Sequence, residues 1–132
     1  MAIFNSPHIK TRVSAKRFFE KYSNLNNLKE ILPTQIVDYK STEKTCSFKI
    51  EGFSEIQLEL NEAIPYKKIS LISKDYDLNI SLNCFIEEEE EEGKAIVYLE
   101  IDADVNFFTK SIVEKPLKNL LKTLSQKIKE LK

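Results

Sequence analysis

The chain of 132 residues encodes an α+β fold. It predicts a curved antiparallel sheet of about 6–7 strands closed on one long C-terminal helix, with two short helices after the first strand. Three observations point there. Residues 35 to 107 alternate apolar and polar with the two-residue period of strands. From Phe108 to Lys132, Leu117, Leu120, Leu121, Leu124, Ile128 and Leu131 recur at steps of three and four, the helical period. Ahead of both, Ser14 precedes a short apolar-faced segment as a helix cap would. A helix with one apolar side must bury it, and the sheet is the only apolar face large enough.

Each element has its own signal. Ile9, Thr11 and Val13 alternate with Lys10 and Arg12, which predicts the first strand. The Ser14 hydroxyl is placed to accept from a free N–H of the next turn. The helix it starts, Ala15 to Tyr22, buries Phe18, Phe19 and Tyr22. A second short helix is expected from Asn26 to Leu32, stopped by Pro33, because proline disfavours helical geometry in the residue before it. In the strands, Cys46, Phe48 and Ile50 share a face, as do Ile56, Leu58 and Leu60, then Ile69 and Leu71. Tyr76, Leu78, Ile80, Leu82, Cys84 and Ile86 point one way on the next, with Asp77, Asn79, Ser81 and Asn83 opposite. On the last strand Ala95, Val97, Leu99, Ile101, Ala103, Val105 and Phe107 face inward. Glu100, Asp102, Asp104 and Asn106 face solvent. That is a sheet wet on one side and apolar on the other. No repeat, linker or second domain is visible, so residues 1–132 read as one domain.

Composition excludes several functions. Hydrophobic residues are 42% and charged residues 31%, ordinary for a globular protein. A net charge of −1 provides no global field for nucleic acid. No apolar run reaches the ~20 residues of a membrane span, and Met1 to Asn5 lacks a secretory pattern, so a cytoplasmic location is expected. The two glycines, Gly52 and Gly93, are too few and too distant for a phosphate-cradling loop or a dinucleotide fingerprint. Both fall where strands should turn; Gly93 closes the run Glu87 to Glu92, expected as a hydrated hairpin connection guarding an edge. Cys46 and Cys84 lie in phase with apolar strand faces and read as buried thiols rather than a disulfide.

The order strand, two short helices, about six strands and long helix resembles the helix-grip fold of the START/Bet v 1/polyketide-cyclase (SRPBCC) superfamily. The resemblance spans essentially the whole chain. It is carried by Thr11-Arg12-Val13-Ser14-Ala15-Lys16-Arg17-Phe18-Phe19, by Leu28 to Pro33, and by Lys115-Pro116-Leu117-Lys118, where Pro116 would kink the last helix or mark where its regular part begins. It is most similar to small bacterial START-like proteins. The resemblance implies a cavity between sheet and helix that takes apolar or amphipathic molecules. It also brings lipid carriers, cyclases, hydroxylase subunits and chaperone-activating domains into view.

No catalytic or metal constellation emerges. His8 is the single histidine, beside the first strand and without a cysteine or carboxylate cluster. A serine or cysteine nucleophile therefore lacks a base. Glu100, Asp102 and Asp104 stand about 7 Å apart on a solvated face with no further ligands. Lys115, Lys118, Lys122 and Lys129, with Lys127 and Lys132 nearby, form the polar side of the last helix, with transient membrane-surface contact as the functional alternative. The expected pocket comprises Leu78, Ile80, Leu99 and Ile101 on the strands and Leu117, Leu120 and Leu124 on the helix. Phe107, Phe108 and Ile112 stand at the strand–helix junction, Phe53 in a turn near the opening, and Tyr76 offers a phenol. The leading expectation is noncatalytic binding or transport of a small hydrophobic, lipid-like ligand, with no cofactor, no metal and no nucleic-acid partner. The alternatives are a cyclase- or hydrolase-type enzyme of the same fold and a protein-interaction module. Oligomeric state and ligand identity are not encoded in any pattern found.

Overall fold

The computed structural model describes residues 2–32, 36–50, 55–73, 79–89, 93–104 and 107–131. Eight strands form one antiparallel sheet: β1 (Ala2–Asn5), β2 (Ile9–Thr11), β3 (Ile36–Ser41), β4 (Thr45–Ile50), β5 (Glu55–Ile64), β6 (Lys68–Ser73), β7 (Asn79–Glu88) and β8 (Ala95–Asp104). Helix α1 (Ala15–Tyr22) and a 3₁₀ helix (Leu25–Glu30) follow β2, and helix α2 (Phe107–Lys129) ends the fold. The spatial order is β1-β8-β7-β6-β5-β4-β3, with β2 also on β8. Strands β3 to β8 thus form a meander. The two N-terminal strands close its far side by pairing Phe4 with Ile101 and Ile9 with Val97. To travel from the β2 edge to the β3 edge, the chain passes through α1 and the 3₁₀ helix.

Three expectations are refined here. The sheet has one strand more than expected because Ala2–Asn5 joins it. A four-residue segment is too short to display a period, and its pairing with β8 is a tertiary event. Phe107 does not continue the last strand: β8 stops at Asp104 and Phe107 opens α2. The second short helix is present as a 3₁₀ helix over Leu25–Glu30 rather than Asn26–Leu32, its Asn24 side chain accepting from Asn26 N at 3.1 Å. The expected roles of Pro33 and Gly52 lie outside the described residues.

Helix α1 keeps its expected bounds. Ser14 Oγ accepts from Arg17 N at 3.2 Å, as a capping serine should. A second acceptor comes from far along the chain: Glu88 Oε2 takes the Ala15 N–H at 3.0 Å. Ala15 is the first helical residue, so this carboxylate meets a free donor at the positive end of the helix. Glu87 and Glu88 accordingly belong to β7 and not to the hairpin connection, and Glu89 pairs with Lys10 at 3.5 Å. Gly93, at φ 87°, supplies the left-handed turn that brings Glu89 N to Lys94 O at 3.2 Å.

Helix α2 lays Leu117, Leu120, Leu121, Leu124 and Ile128, all buried, toward the sheet. Burying such side chains is worth about 1.5–3 kcal/mol each. Pro116 lies inside this helix and forgoes one backbone hydrogen bond there. Lys127, expected among the polar stripe, instead donates from Nζ to Leu32 O at 2.8 Å and ties α2 to the segment after the 3₁₀ helix. The Tyr39 hydroxyl donates to Leu25 O and holds the other end of that helix on β3. Both caps of α1 should be measurable: Ser14→Ala and Glu88→Ala are each expected to lower unfolding stability by about 1 kcal/mol in urea denaturation.

Candidate functional site

The inward side chains of the sheet and the apolar stripe of α2 do not meet everywhere. Between them lies a cavity of about 70 Å³ open to the centre of a water-sized sphere. Its floor is Phe48, Ile56, Leu58, Ile69, Leu71, Ile80, Leu82, Cys84, Leu99 and Ile101, drawn from β4 to β8. Its roof is Leu117, Leu120, Leu124 and Ile128 of α2. One end is closed by Phe18 and Tyr22 of α1 and by Leu28, Ile31 and Leu32. The local reason is alternation: residues of even number on β4, β5 and β7 and of odd number on β6 and β8 point the same way.

Ile80, Leu99, Ile101, Leu117, Leu120 and Leu124, expected at a pocket, all line this space. Phe53, Tyr76 and Leu78 lie outside the described residues. Phe107, Phe108 and Ile112 sit in the first turns of α2, and their side chains lie outside the described ones. The end wall was missed. Phe18 and Tyr22 stand four residues apart on α1, a signal of burial but not of what they are buried against. Ile31 and Leu32 carry no periodic signal at all.

The lining is almost free of heteroatoms. Only Tyr22 and Cys84 carry any in their side chains. The Tyr22 hydroxyl is buried without a hydrogen-bond partner. Desolvation first, then the charge of Glu30, which stands close but outside hydrogen-bonding geometry, pushes its pKa up to about 12. Burial pushes the Cys84 thiol up to about 12. Cys46, buried on the same sheet but outside the cavity, is pushed up to about 11 by burial, partly offset by its contact with Tyr39. Both cysteines are free thiols. No side chain of the lining among the described residues is a carboxylate, imidazole or amine. Among the described residues no cluster of three His, Cys, Asp or Glu is placed to hold a metal. Nor is any helix there long and apolar enough to cross a membrane.

Glu100 and Asp102 of the last strand fall on the other side of the sheet from the cavity, and the side chain of Asp104 lies outside the described ones. There Glu100 accepts from Asn83 Nδ2 at 3.3 Å, and Asn83 Oδ1 accepts from Ser70 at 2.6 Å. This is a cross-strand polar row over β6, β7 and β8. His8, also outside, sets its ring edge-on to Tyr98 with centroids 5.1 Å apart.

This architecture has counterparts among solved structures. A START superfamily protein from Mycobacterium smegmatis matches with a TM-score of 0.70 at 12% identity, over 98% of this chain and 99% of that one. Norcoclaurine synthase from Thalictrum flavum, in complex with dopamine and hydroxybenzaldehyde, matches at 0.68 and 13% identity, over 99% and 88%. Aha1 from Colwellia psychrerythraea, a dimer in solution, matches at 0.56 and 15% identity, over 98% and 99%. No family model and no curated protein matches the sequence. The likeness is therefore one of fold: the chain has the helix-grip architecture of these solved structures, as its element order led one to expect.

The raised pKa values set the sign of an alkaline effect. Unfolded cysteine ionises near 9.0, whereas folded Cys46 and Cys84 wait until about 11 and about 12. Between those limits the unfolded chain has lost protons that the folded chain keeps, so stability present below pH ~9 is lost as pH rises through that window. Tyr22 acts in the same sense from 10.0 to about 12. The urea midpoint should therefore fall steadily from pH 9 to pH 11. Cys46→Ala/Cys84→Ala should flatten that fall, and both native thiols should resist a thiol reagent at pH 8 until the protein unfolds.

Proposed function

We propose that this protein binds a small, largely apolar molecule in the cavity between sheet and α2, without transforming it. The observation that carries the reading is the lining: about 70 Å³ enclosed by aliphatic and aromatic side chains from the sheet, both N-terminal helices and α2. Such a space is poorly solvated, and an apolar guest removes its own surface from water at about 25 cal/mol per Å². Dry cavities walled by leucine, isoleucine and phenylalanine of roughly 150 Å³ take up benzene and xenon.

Size narrows the class. Drug- and lipid-sized ligands occupy roughly 300–1,000 Å³. The space between these walls favours a guest of one ring or a short branched chain over a full acyl lipid. Tyr22 closes one end of the space with its ring, and its buried hydroxyl presents no polar surface to the cavity. Catalysis is disfavoured by the same lining. General acid–base work near neutrality needs a group that titrates there, and the two candidates are held near 12. A like-folded enzyme solved with dopamine and hydroxybenzaldehyde is in keeping with an architecture that takes in small molecules.

The test is methyl-resolved NMR under xenon pressure and with a single-ring probe series such as benzene, phenol and benzaldehyde. Methyl shifts are expected at Leu99, Ile101, Leu120 and Leu124, saturating with probe. Benzene is expected to bind at least as tightly as phenol and benzaldehyde, because the lining presents no polar surface to pair with their oxygen. An unresponsive set of methyls would remove the reading. Turnover of any probe would replace it with the enzyme alternative.

A further inference from the structure

A second concave region, distinct from the cavity, runs along the outside of α2. It is a groove of about 880 Å³ between the N-terminal strands and the flank of that helix. Every residue from Ile3 to Lys10 contributes to one wall. Consecutive side chains of a strand point to opposite faces. Within β1, consecutive Ile3, Phe4 and Asn5 all contribute, as at the edge of a strand rather than one of its faces, and the wall continues through Ser6–His8 into β2. β1 is indeed a terminal strand of the sheet, paired with β8 alone.

The hydrogen-bond pattern says which backbone groups look into the groove. Ser6 N donates to Leu99 O at 2.9 Å, and the register places Phe4 opposite Ile101 and Ala2 opposite Ala103. Antiparallel ladders alternate, so Ala2 and Phe4 turn their N–H and C=O to β8. Ile3 and Asn5 turn theirs outward. This is the arrangement that accepts another strand.

The opposite wall is basic. Lys118, Lys122 and Lys129 line it beside Ser125 and Gln126, and Lys10 stands on the strand side. Among the described residues no carboxylate lines the groove. Lys118 is matched by Glu114 at 2.8 Å and Lys10 by Glu89 at 3.5 Å. Lys122 and Lys129, both exposed, enter no ion pair among the described residues. In a chain whose net charge is −1, this groove concentrates cations facing an open strand edge. The spacing fits an extended chain. Lys118 and Lys122 rise about 6 Å along α2, near the ~7 Å between alternate residues of a strand. Ile3, 54% exposed on the strand side, offers an apolar contact between them.

We infer that the groove between β1 and α2 is a docking site for an acidic peptide segment in extended conformation, which adds to β1 as a strand and sets alternate carboxylates against Lys118, Lys122 and Lys129. The same lysines keep a second basic edge of this kind away, which favours a foreign acidic strand over pairing of two copies through β1.

The probe is a fluorescein-labelled octapeptide alternating glutamate and valine, titrated by fluorescence anisotropy at low salt against the whole protein. Saturable 1:1 binding is expected. Lys122→Glu/Lys129→Glu should weaken it by about tenfold or more, the loss of charge-assisted contacts. Both positions are solvent-exposed on a helix that glutamate supports well, so the fold should survive. The second variant isolates the strand. Ile3→Pro removes one outward N–H at a position where an edge tolerates proline, and should weaken binding several-fold, with Ile3→Val unchanged. Three results would overturn the inference: no saturation, binding that ignores Ile3→Pro, or equal or tighter binding of a single-stranded oligonucleotide or of phosphatidylglycerol vesicles. Self-association that competes with the peptide would also overturn it, in favour of a second copy as occupant.

Discussion

The structure depends on one contact: the apolar stripe of α2 against the inner face of the sheet. Leu117, Leu120, Leu121, Leu124 and Ile128 are nearly inaccessible to solvent. Without them the inward residues of β4 to β8 would face water on a single-layered sheet, which has no other large apolar partner. The two short helices plug one end of that contact with Phe18, Tyr22 and Leu25. Both are anchored by polar ties from distant chain: Glu88 to the start of α1, Tyr39 to Leu25, and Lys127 to Leu32.

A curved sheet and a straight helix cannot match shape along their whole length. Where they diverge, space remains unless side chains grow to fill it, and here they nearly do. The bend has visible local supports. The β3–β4 register shifts between Val37 and Lys40, with Asp38 in the left-handed region at φ 55°. The β5–β6 register shifts between Leu60 and Glu62. Such irregularities raise twist and let a broad sheet wrap. The residual 70 Å³ is the difference between a fully packed core and one with room for a guest.

Helix α2 thus serves two environments at once. Its inner side, uncharged and tightly enclosed, offers only dispersion and the hydrophobic effect. Its flank carries Lys122 and Lys129, which enter no ion pair among the described residues, beside the β1 edge. In the readings proposed above, the first side selects by volume and the second by charge and backbone geometry. Occupation of either site bears on the same helix, and Lys127, which holds the segment closing the cavity, projects from it.

Much of this was legible in the residues alone. The period of two over residues 35 to 107 and the three-four spacing from Leu117 to Leu131 are local properties, so strands, α2 and their buried faces follow from patterning. The bounds of α1 follow from Ser14 and its apolar spacing, and the inward residues Ile80, Leu99, Ile101, Leu117, Leu120 and Leu124 follow from parity. Other features belong to the tertiary structure because they join residues far apart in the chain. Ala2–Asn5 becomes a strand only because β8 has a free edge to offer. Glu88 becomes a helix cap only because β7 delivers it to Ala15, 73 residues away. The sequence alone determined which side chains had to leave water. How closely they pack, and so how much space is left and which strand edge stays open, was decided only when sheet curvature met helix.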